Sequence, residues 1–504
     1  MLASVTSATL VGVEGRPVTV EVHCSVGLPA YHVVGLPDTA VRESQARVRA
    51  ALLSSQHDWP QKRITVNLAP AGLRKTGAGF ELAVALGVLV AEEQLAADVL
   101  DGVAVLGELG LDGSVRAVPG VLAFTDALAA TGTKTVVVPE ENAAEAALVD
   151  GIDVRAARSL VELCDCLTGA LPWPDWTPFE ADTSEAGDGD GDDAESVDLA
   201  DVRGLANARR ALEVAAAGGH HLLLTGPPGV GKTMLARRLP TILAPLERHE
   251  ALEVTRVHSV AGRSPRGGLA RHRPFRAPHH TASVGALVGG GSGRPQPGEV
   301  TLAHHGILFL DELGEFPPRA LDALRQPLEE RAVRIARVPL SLRFPADFQL
   351  VACTNPCPCG RGGPTCQCNE IQRLRYRRRL SAPLLDRFDL RLAVRPPEPS
   401  DGPGEPSAVV RERVAAAAVR QGRRYDGCRW HTNAHIPAGA LHRSVPLRGD
   451  AADAWRWSID ERDLTGRGAA HIRRVARTIA DLDDAADVTE AHVLAAALLR
   501  DDVP

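Results

Sequence analysis

The segment Gly226-Pro-Pro-Gly-Val-Gly-Lys-Thr233 constrains this chain more than any other. The apolar run His221-Leu-Leu-Leu224 leads into it and a helical stretch leaves it. Glycines and Lys-Thr at this spacing demand a strand, a tight loop and a helix in that order. In such a loop Gly226, Pro227, Pro228, Gly229, Val230 and Gly231 let backbone N–H groups turn inward around phosphate oxygens. The helix that follows aims its positive end at the same point. Lys232 then brings a charge to the β- and γ-phosphates, and the Thr233 hydroxyl is placed to ligate Mg²⁺. Composition sharpens the point, since only four of the 56 Lys and Arg residues are lysine. A chain that writes its positive charge as arginine has placed a lysine where a phosphate loop needs one.

The rest of a nucleoside triphosphate site, with ATP as the expected ligand, follows downstream. Ile307-Leu-Phe-Leu310 reads as a buried strand that presents Asp311 and Glu312 at its end. Asp311 is placed to hold Mg²⁺ and Glu312 to orient and deprotonate the attacking water. A third strand, Phe348–Ala352, leads to Thr354-Asn355, where Asn355 can sense a γ-phosphate or position the water. Arg387, in Pro383-Leu-Leu-Asp-Arg-Phe-Asp-Leu390, precedes a fourth strand over Leu390–Val394 and is a candidate arginine finger for a neighbouring subunit's ATP. The alternative for Arg387 is a surface salt bridge.

With 504 residues the chain calls for two or three domains. The fold class is α/β. Residues 1–172 read as one α+β unit. Its strands are expected at Ile64–Leu68, Val103–Leu106 and Thr135–Val138, and its helices at Thr39–Ser54, Phe80–Ala91 and Ala143–Val149. From Ser159 to Val202 there is no Lys or Arg, and Thr183–Glu195 is almost wholly acidic, Gly or Ser, so 173–200 is an acidic linker. A parallel-sheet ATPase domain is expected over 201–396 and a helical lid over 407–504, separated by the Pro-rich hinge Arg395–Pro406. No long uncharged apolar run and no basic leader is present, so neither a membrane span nor a signal peptide is expected. The expected location is cytoplasmic, with the nine cysteines reduced.

Phosphate loop, Asp-Glu strand, Asn strand end and Arg-Phe-Asp, in that order, resemble the magnesium-chelatase-like AAA+ ATPases, and within them the ComM/YifB family. The resemblance is carried by Phe275-Arg-Ala-Pro-His-His-Thr-Ala-Ser283, Gly298–Leu313, Thr354-Asn-Pro-Cys-Pro-Cys-Gly360, Ser381–Leu390 and Arg474–Leu482, and covers nearly the whole chain. It implies a homo-hexameric ring, ATP and Mg²⁺ as cofactors, and motor action on DNA, specifically branch migration of joint molecules. It also places Arg467 where related ATPases carry a sensor-2 arginine, acting in cis or in trans. Residues 1–172 resemble the Lon protease catalytic fold through Gly107–Val115 and Val136–Asn142. That fold's Ser–Lys dyad is missing: Gly79 stands at the serine position, and Leu122 or Phe124 where the lysine falls. Without nucleophile or base this domain is not a peptidase.

Three further constellations keep two readings each. Arg276, His279 and His280 belong to an insert between Lys232 and Asp311 that either reaches a ring pore and contacts DNA phosphate, or packs between subunits. Arg334 and Arg337 lie on a hairpin expected over Glu330–Arg343, a second DNA candidate or a solvated face. Cys357, Cys359, Cys366 and Cys368 could give four thiolates to a structural Zn²⁺, or be reduced structural thiols. The competing functions are an ATPase subunit of a metal chelatase and an ATP-driven remodeller of proteins.

Overall fold

The computed structural model describes residues 2–77, 79–176, 197–263, 268–291, 295–337, 340–396 and 402–500. Among them no helix is long and apolar enough to cross a membrane.

The N-terminal domain is built on a mixed seven-stranded sheet. Its strands are β1 (Leu2–Val11), β2 (Glu14–Ser25), β3 (Ala30–Val34), β4 (Arg63–Ala69), β5 (Val103–Val105), β6 (Thr135–Pro139) and β7 (Asp153–Ala157), in the order β3-β4-β2-β1-β5-β6-β7. The β1–β2 hairpin turns at Gly12, whose φ of 68° suits glycine. Helix α1 (Glu81–Ala91) is buried on every side, as its nearly unbroken apolar sequence requires. Its one charge, Glu81, is held by Arg47 at 2.6 Å and by the Leu109 N–H at 3.1 Å. The expected helix over Thr39–Ser54 breaks at Glu43 into two pieces, and the one expected at Ala143–Val149 spans Glu140–Ala146. Pro139 caps that helix and Glu140 and Glu141 fill its first turn, which draws its start forward.

Most of the acidic linker, 177–196, lies outside the described residues. Its last residues are packed: Leu199 is buried and donates its N–H to Ser407 Oγ at 2.8 Å, and Asp198 caps the short turn Leu199–Asp201.

The ATPase domain carries a parallel five-stranded sheet. In chain order its strands are β8 (Leu222–Thr225), β9 (Phe275–Arg276), β10 (Ile307–Leu310), the outlying hairpin β11 (Ala332–Arg337) and β12 (Leu340–Pro345), β13 (Gln349–Thr354) and β14 (Leu390–Ala393). The sheet order is β9-β10-β13-β8-β14. Strands β8, β10 and β13 are buried throughout, which explains their continuous apolar runs. Gly226, Asp311 and Asn355 follow the carboxyl ends of three adjacent strands, where open α/β sheets bind ligands.

Two docking surfaces flank this sheet. Helix α2 (Val121–Ala130) of the N-terminal domain packs against ATPase-domain residues 248–260. There the Gly120 N–H donates to Ser259 Oγ at 2.9 Å, Ser259 donates to Glu145, and Arg256 pairs with Asp126 at 2.9 Å. On the other side lie α3 (Ala206–Gly218), the phosphate-loop helix α4 (Lys232–Ile242) and the C-terminal helices, joined in one core that includes Leu212, Leu239, Val414 and Ile479. In that lid the buried Asp481 is paired: it accepts from Arg424 at 2.9 Å, Arg477 at 2.9 Å and Asn433 at 2.8 Å.

Candidate nucleotide site

The loop between β8 and α4 turns on Gly229 and Gly231, with φ of 81° and 91°, a region where a side chain is strained. The Lys232 ammonium folds back over the loop and donates to the carbonyls of Gly226 at 2.7 Å and Pro227 at 2.9 Å, and to Asn355 Oδ1 at 3.2 Å. Burial lowers its pKa from the ordinary lysine value, while Asp311 and Glu312 nearby pull the other way. Thr233 donates to Asp311 Oδ2 at 2.8 Å, and the Glu312 N–H donates to Asp311 Oδ1 at 2.9 Å. Hydroxyl and carboxylate side by side form an oxygen-only donor set, which suits a hard ion such as Mg²⁺. A cleft of about 380 Å³ lies here, lined by Pro228, Gly229, Lys232, Asp311, Glu312 and Asn355 among others.

Glu312 has φ 52° and ψ 47°, a left-handed conformation that costs a non-glycine residue about 1–2 kcal/mol. The turn aims its half-exposed carboxylate toward His280, whose Nδ1 lies 3.4 Å from Glu312 Oε2. His280 packs its ring on His279, 4.1 Å between centroids, and sets its edge against Phe316. His280 therefore stands beside Glu312 at the edge of the cleft. Arg276 is engaged by Glu299 through contacts of 2.7 and 3.1 Å, which commits its guanidinium inside the fold in this conformation. Arg334 stands on the exposed side of the hairpin, paired with Glu330 at 2.8 Å, and the hairpin runs two residues beyond the expected Arg343. The Arg337 side chain lies outside the described residues.

Among the described residues no arginine lines the 380 Å³ cleft. Arg387 and Arg467 instead meet at one carboxylate: Arg387 pairs with Glu329, and Arg467 Nη2 lies 3.5 Å from the same Glu329 oxygen. Burial, with Arg467 adding repulsion, lowers the Arg387 pKa from its ordinary value. Two arginines sharing one weak counter-charge are poised for an anion.

The sequence reading missed a second cleft of about 830 Å³ between the ATPase domain and the lid, lined by Leu205, Asn207, Arg210, Val394, Ile479 and His492 among others. It adjoins the phosphate loop, since a Cβ on Gly231 would lie 3.6 Å from Leu205 Cδ1. It also missed the exposed arginines of α5 (Glu370–Arg377) and the residues after it. Arg373, Arg375, Arg377 and Arg378 carry no ion pair among the described residues, and the run Arg373-Leu-Arg-Tyr-Arg-Arg-Arg379 was the available signal. The four cysteines converge as their spacing suggested: Cys357 Sγ is 3.3 Å from Cys359 and 3.5 Å from Cys366, which is 3.9 Å from Cys359.

Comparison with known proteins agrees with this geometry. The family model described as "Magnesium chelatase, subunit ChlI" matches residues 198–401, its C-terminal counterpart matches 404–500, and "Subunit ChlI of Mg-chelatase" matches 20–142. The chain is 41% identical to YifB of Escherichia coli over 507 residues, 99% of this chain and 97% of that protein. It is also 41% identical to the competence protein ComM of Haemophilus influenzae, covering 98% of this chain and 96% of ComM. The chain belongs to the ComM/YifB family of magnesium-chelatase-like AAA+ proteins. Membership implies ATP and Mg²⁺ as ligands of the cleft just described. A segment amounting to 31% of the chain is similar to Lon protease 2 of Bacillus subtilis, 31% identical over 183 residues and 32% of that protein. In this ComM/YifB-family chain Leu122 and Phe124, the positions where the dyad's lysine was expected, are buried and apolar.

Proposed function

We propose that this chain is an ATP-hydrolysing, ring-forming motor that drives branch migration of DNA in the cytoplasm. The observation that carries it is the division of the site. One chain supplies phosphate loop, metal-binding oxygens and base, while Arg387 and Arg467 stand together elsewhere on Glu329. Such a site is complete only when a neighbouring copy lends its arginines, which is what a ring, here a homo-hexamer, provides.

When bound, Mg·ATP supplies the phosphoanhydride whose hydrolysis drives the cycle. The chain's own groups hold it in place: the Gly226–Gly231 turn offers N–H donors, Lys232 a charge, and Thr233 and Asp311 oxygens for the ion. The 830 Å³ cleft beside Leu205 has room for the base and ribose. Glu312 accepts the proton of the attacking water, and Asn355, bonded to Lys232, orients the groups around it. Arg387 of a neighbour neutralises charge that develops in the transition state, worth about 10³–10⁵ in rate where such fingers are known.

DNA as the substrate is supported by the likeness to a protein named for competence and by the exposed arginines of α5, which carry no ion pair among the described residues. Phosphate contacts by such arginines bind any sequence and weaken steeply with salt. The deciding experiment is an ATPase and strand-exchange assay with forked and four-way DNA, run beside a porphyrin with a chelatase partner. Stimulation and junction movement by DNA support the motor. Stimulation only by porphyrin and partner overturns it in favour of a chelatase subunit.

A further inference from the structure

We propose that Cys357, Cys359, Cys366 and Cys368 bind one Zn²⁺ ion in a closed tetrathiolate site. All four sulfurs lie within 4.8 Å of one another. Four ligands at a Zn–S bond of about 2.3 Å place their sulfurs about 3.8 Å apart in a tetrahedron. The contacts of 3.3, 3.5 and 3.9 Å scatter around that value. A pair of disulfides would instead draw the sulfurs into two bonded couples, and all four are free thiols here.

Packing does not explain the gathering. Cysteines used as small apolar residues go inside, as Cys24, Cys164, Cys166 and Cys353 do. Of the four in question only Cys357 is buried; the other three are partly exposed. The loop that carries them, Pro356-Cys-Pro-Cys-Gly-Arg-Gly-Gly-Pro-Thr-Cys-Gln-Cys-Asn369, contains no Leu, Ile, Val, Met or aromatic residue. Apart from its prolines it brings no large apolar side chain of its own to collapse upon, and a metal would fix its shape. Thiolates select a borderline-soft ion of the zinc type over Mg²⁺.

A second cluster with ligand chemistry, Glu253, His304 and His305, is already closed upon itself. His304 Nε2 and His305 Nε2 both meet Glu253 Oε2, at 2.8 and 2.9 Å, and His304 Nδ1 accepts the Asp347 N–H at 3.0 Å. Three of its four ring nitrogens are spent on those bonds, and the fourth, His305 Nδ1, lies 3.6 Å from Glu250 Oε1.

The position of the thiolate site gives it a task. The loop begins one residue after Asn355 and packs on the phosphate loop at Gly360, where an added Cβ would come within 2.8 Å of Pro228 Cδ. It ends at Asn369, which caps α5 by accepting the Gln372 N–H at 2.8 Å. Zinc there would tie Asn355, the phosphate loop and the arginine helix into one unit.

The test uses the full-length protein, with metal content measured by elemental analysis and, after exchange, with Co²⁺ as the probe. About one zinc per chain is expected, together with the near-ultraviolet thiolate-to-cobalt band and visible absorption of tetrahedral Co²⁺. Replacing Cys359 and Cys366 by Ser should remove both signals, while His304→Gln keeps them. Because the Ser variant could misfold, unmodified protein is also titrated with Zn²⁺ after chelation. Four freely reacting thiols with no zinc uptake overturn the proposal. So does zinc that is lost in His304→Gln and kept in the Ser variant. Neither readout depends on ATP turnover or on DNA, so the metal site and the motor reading fail independently.

Discussion

His280 Nδ1 lies 3.4 Å from Glu312 Oε2, so the carboxylate that should activate water is engaged by a side chain of the neighbouring strand's loop. That loop continues through the Ser283-capped helix Val284–Val288 to Gly290, which pairs with Gln296. A partner touching this segment has a short path to Glu312. We predict that His280→Ala raises basal ATP turnover by about fivefold, the equivalent of losing one partly exposed polar contact of about 1 kcal/mol. The same change should flatten any stimulation by DNA, and His280→Asn should restore part of it. A fall in basal turnover in His280→Ala, with stimulation intact, would mean that the histidine assists Glu312 instead of restraining it.

Lys232 is the residue on which nucleotide turnover should depend most steeply. Lys232→Ala is expected to cut ATP hydrolysis by about 10²-fold or more, since the charge it brings acts in a water-poor cleft. The far-ultraviolet circular dichroism should be unchanged, because the ammonium serves loop carbonyls and Asn355 and supports no core contact. Lys232→Arg should not rescue, as a planar guanidinium does not fit a slot shaped for a point charge. Substantial hydrolysis in Lys232→Ala refutes the assignment.

The Glu329 cluster makes a prediction about mixtures. Arg387→Ala should lose about 10³-fold in hydrolysis while each protomer still binds nucleotide. Mixed with Lys232→Ala, it should regain activity. A protomer with intact Lys232 then meets a neighbour with intact Arg387, and that interface is whole. Arg467→Ala should behave as Arg387→Ala does, because both arginines meet at one carboxylate. Mixtures no more active than their components would place Arg387 in its own chain's site.

What the sequence made legible was the chemistry written in local spacing. The phosphate loop, Asp311 with Glu312, and the four cysteines each lie within about a dozen residues, and backbone geometry alone brings them together. His280 and Glu312 are 32 positions apart and meet only because β9 and β10 pair in parallel, Phe275 opposite Ile307. Arg387, Arg467 and Glu329 meet only when the lid packs on the sheet, and so does the large cleft beside Leu205. In the N-terminal domain β1 and β2 escaped notice because Ser7 and Thr9 are buried on β1, which blurs the alternation a half-buried strand should display. The α1 helix was readable because it is apolar all round.

Stability should fall between pH 6.5 and 4.5, and two histidines between sheet and lid give the reason. Burial, the largest cause, pushes His221 down to about 4, and it does the same to His435. For His221 the geometry agrees, since the Leu350 N–H donates to its Nδ1 at 3.0 Å, a bond that only the neutral ring can accept. A histidine with a lowered folded pKa is bound by more protons when unfolded. Its contribution is whole above the unfolded value of about 6.5 and shrinks as pH falls toward 4. The full linkage is roughly 3 kcal/mol for each ring; His435 is 23% exposed, and screening brings its share to roughly 1–2 kcal/mol. Carboxylates with lowered pKa, such as Asp389 and Glu253, lose their contribution only as pH falls below about 4.5, outside this window. The urea midpoint of the unmodified protein should therefore drop clearly from pH 7.5 to pH 5. His221→Gln keeps an acceptor for the Leu350 N–H without a titrating ring, so its midpoint should drop less. Equal drops in the two proteins would remove His221 as the cause.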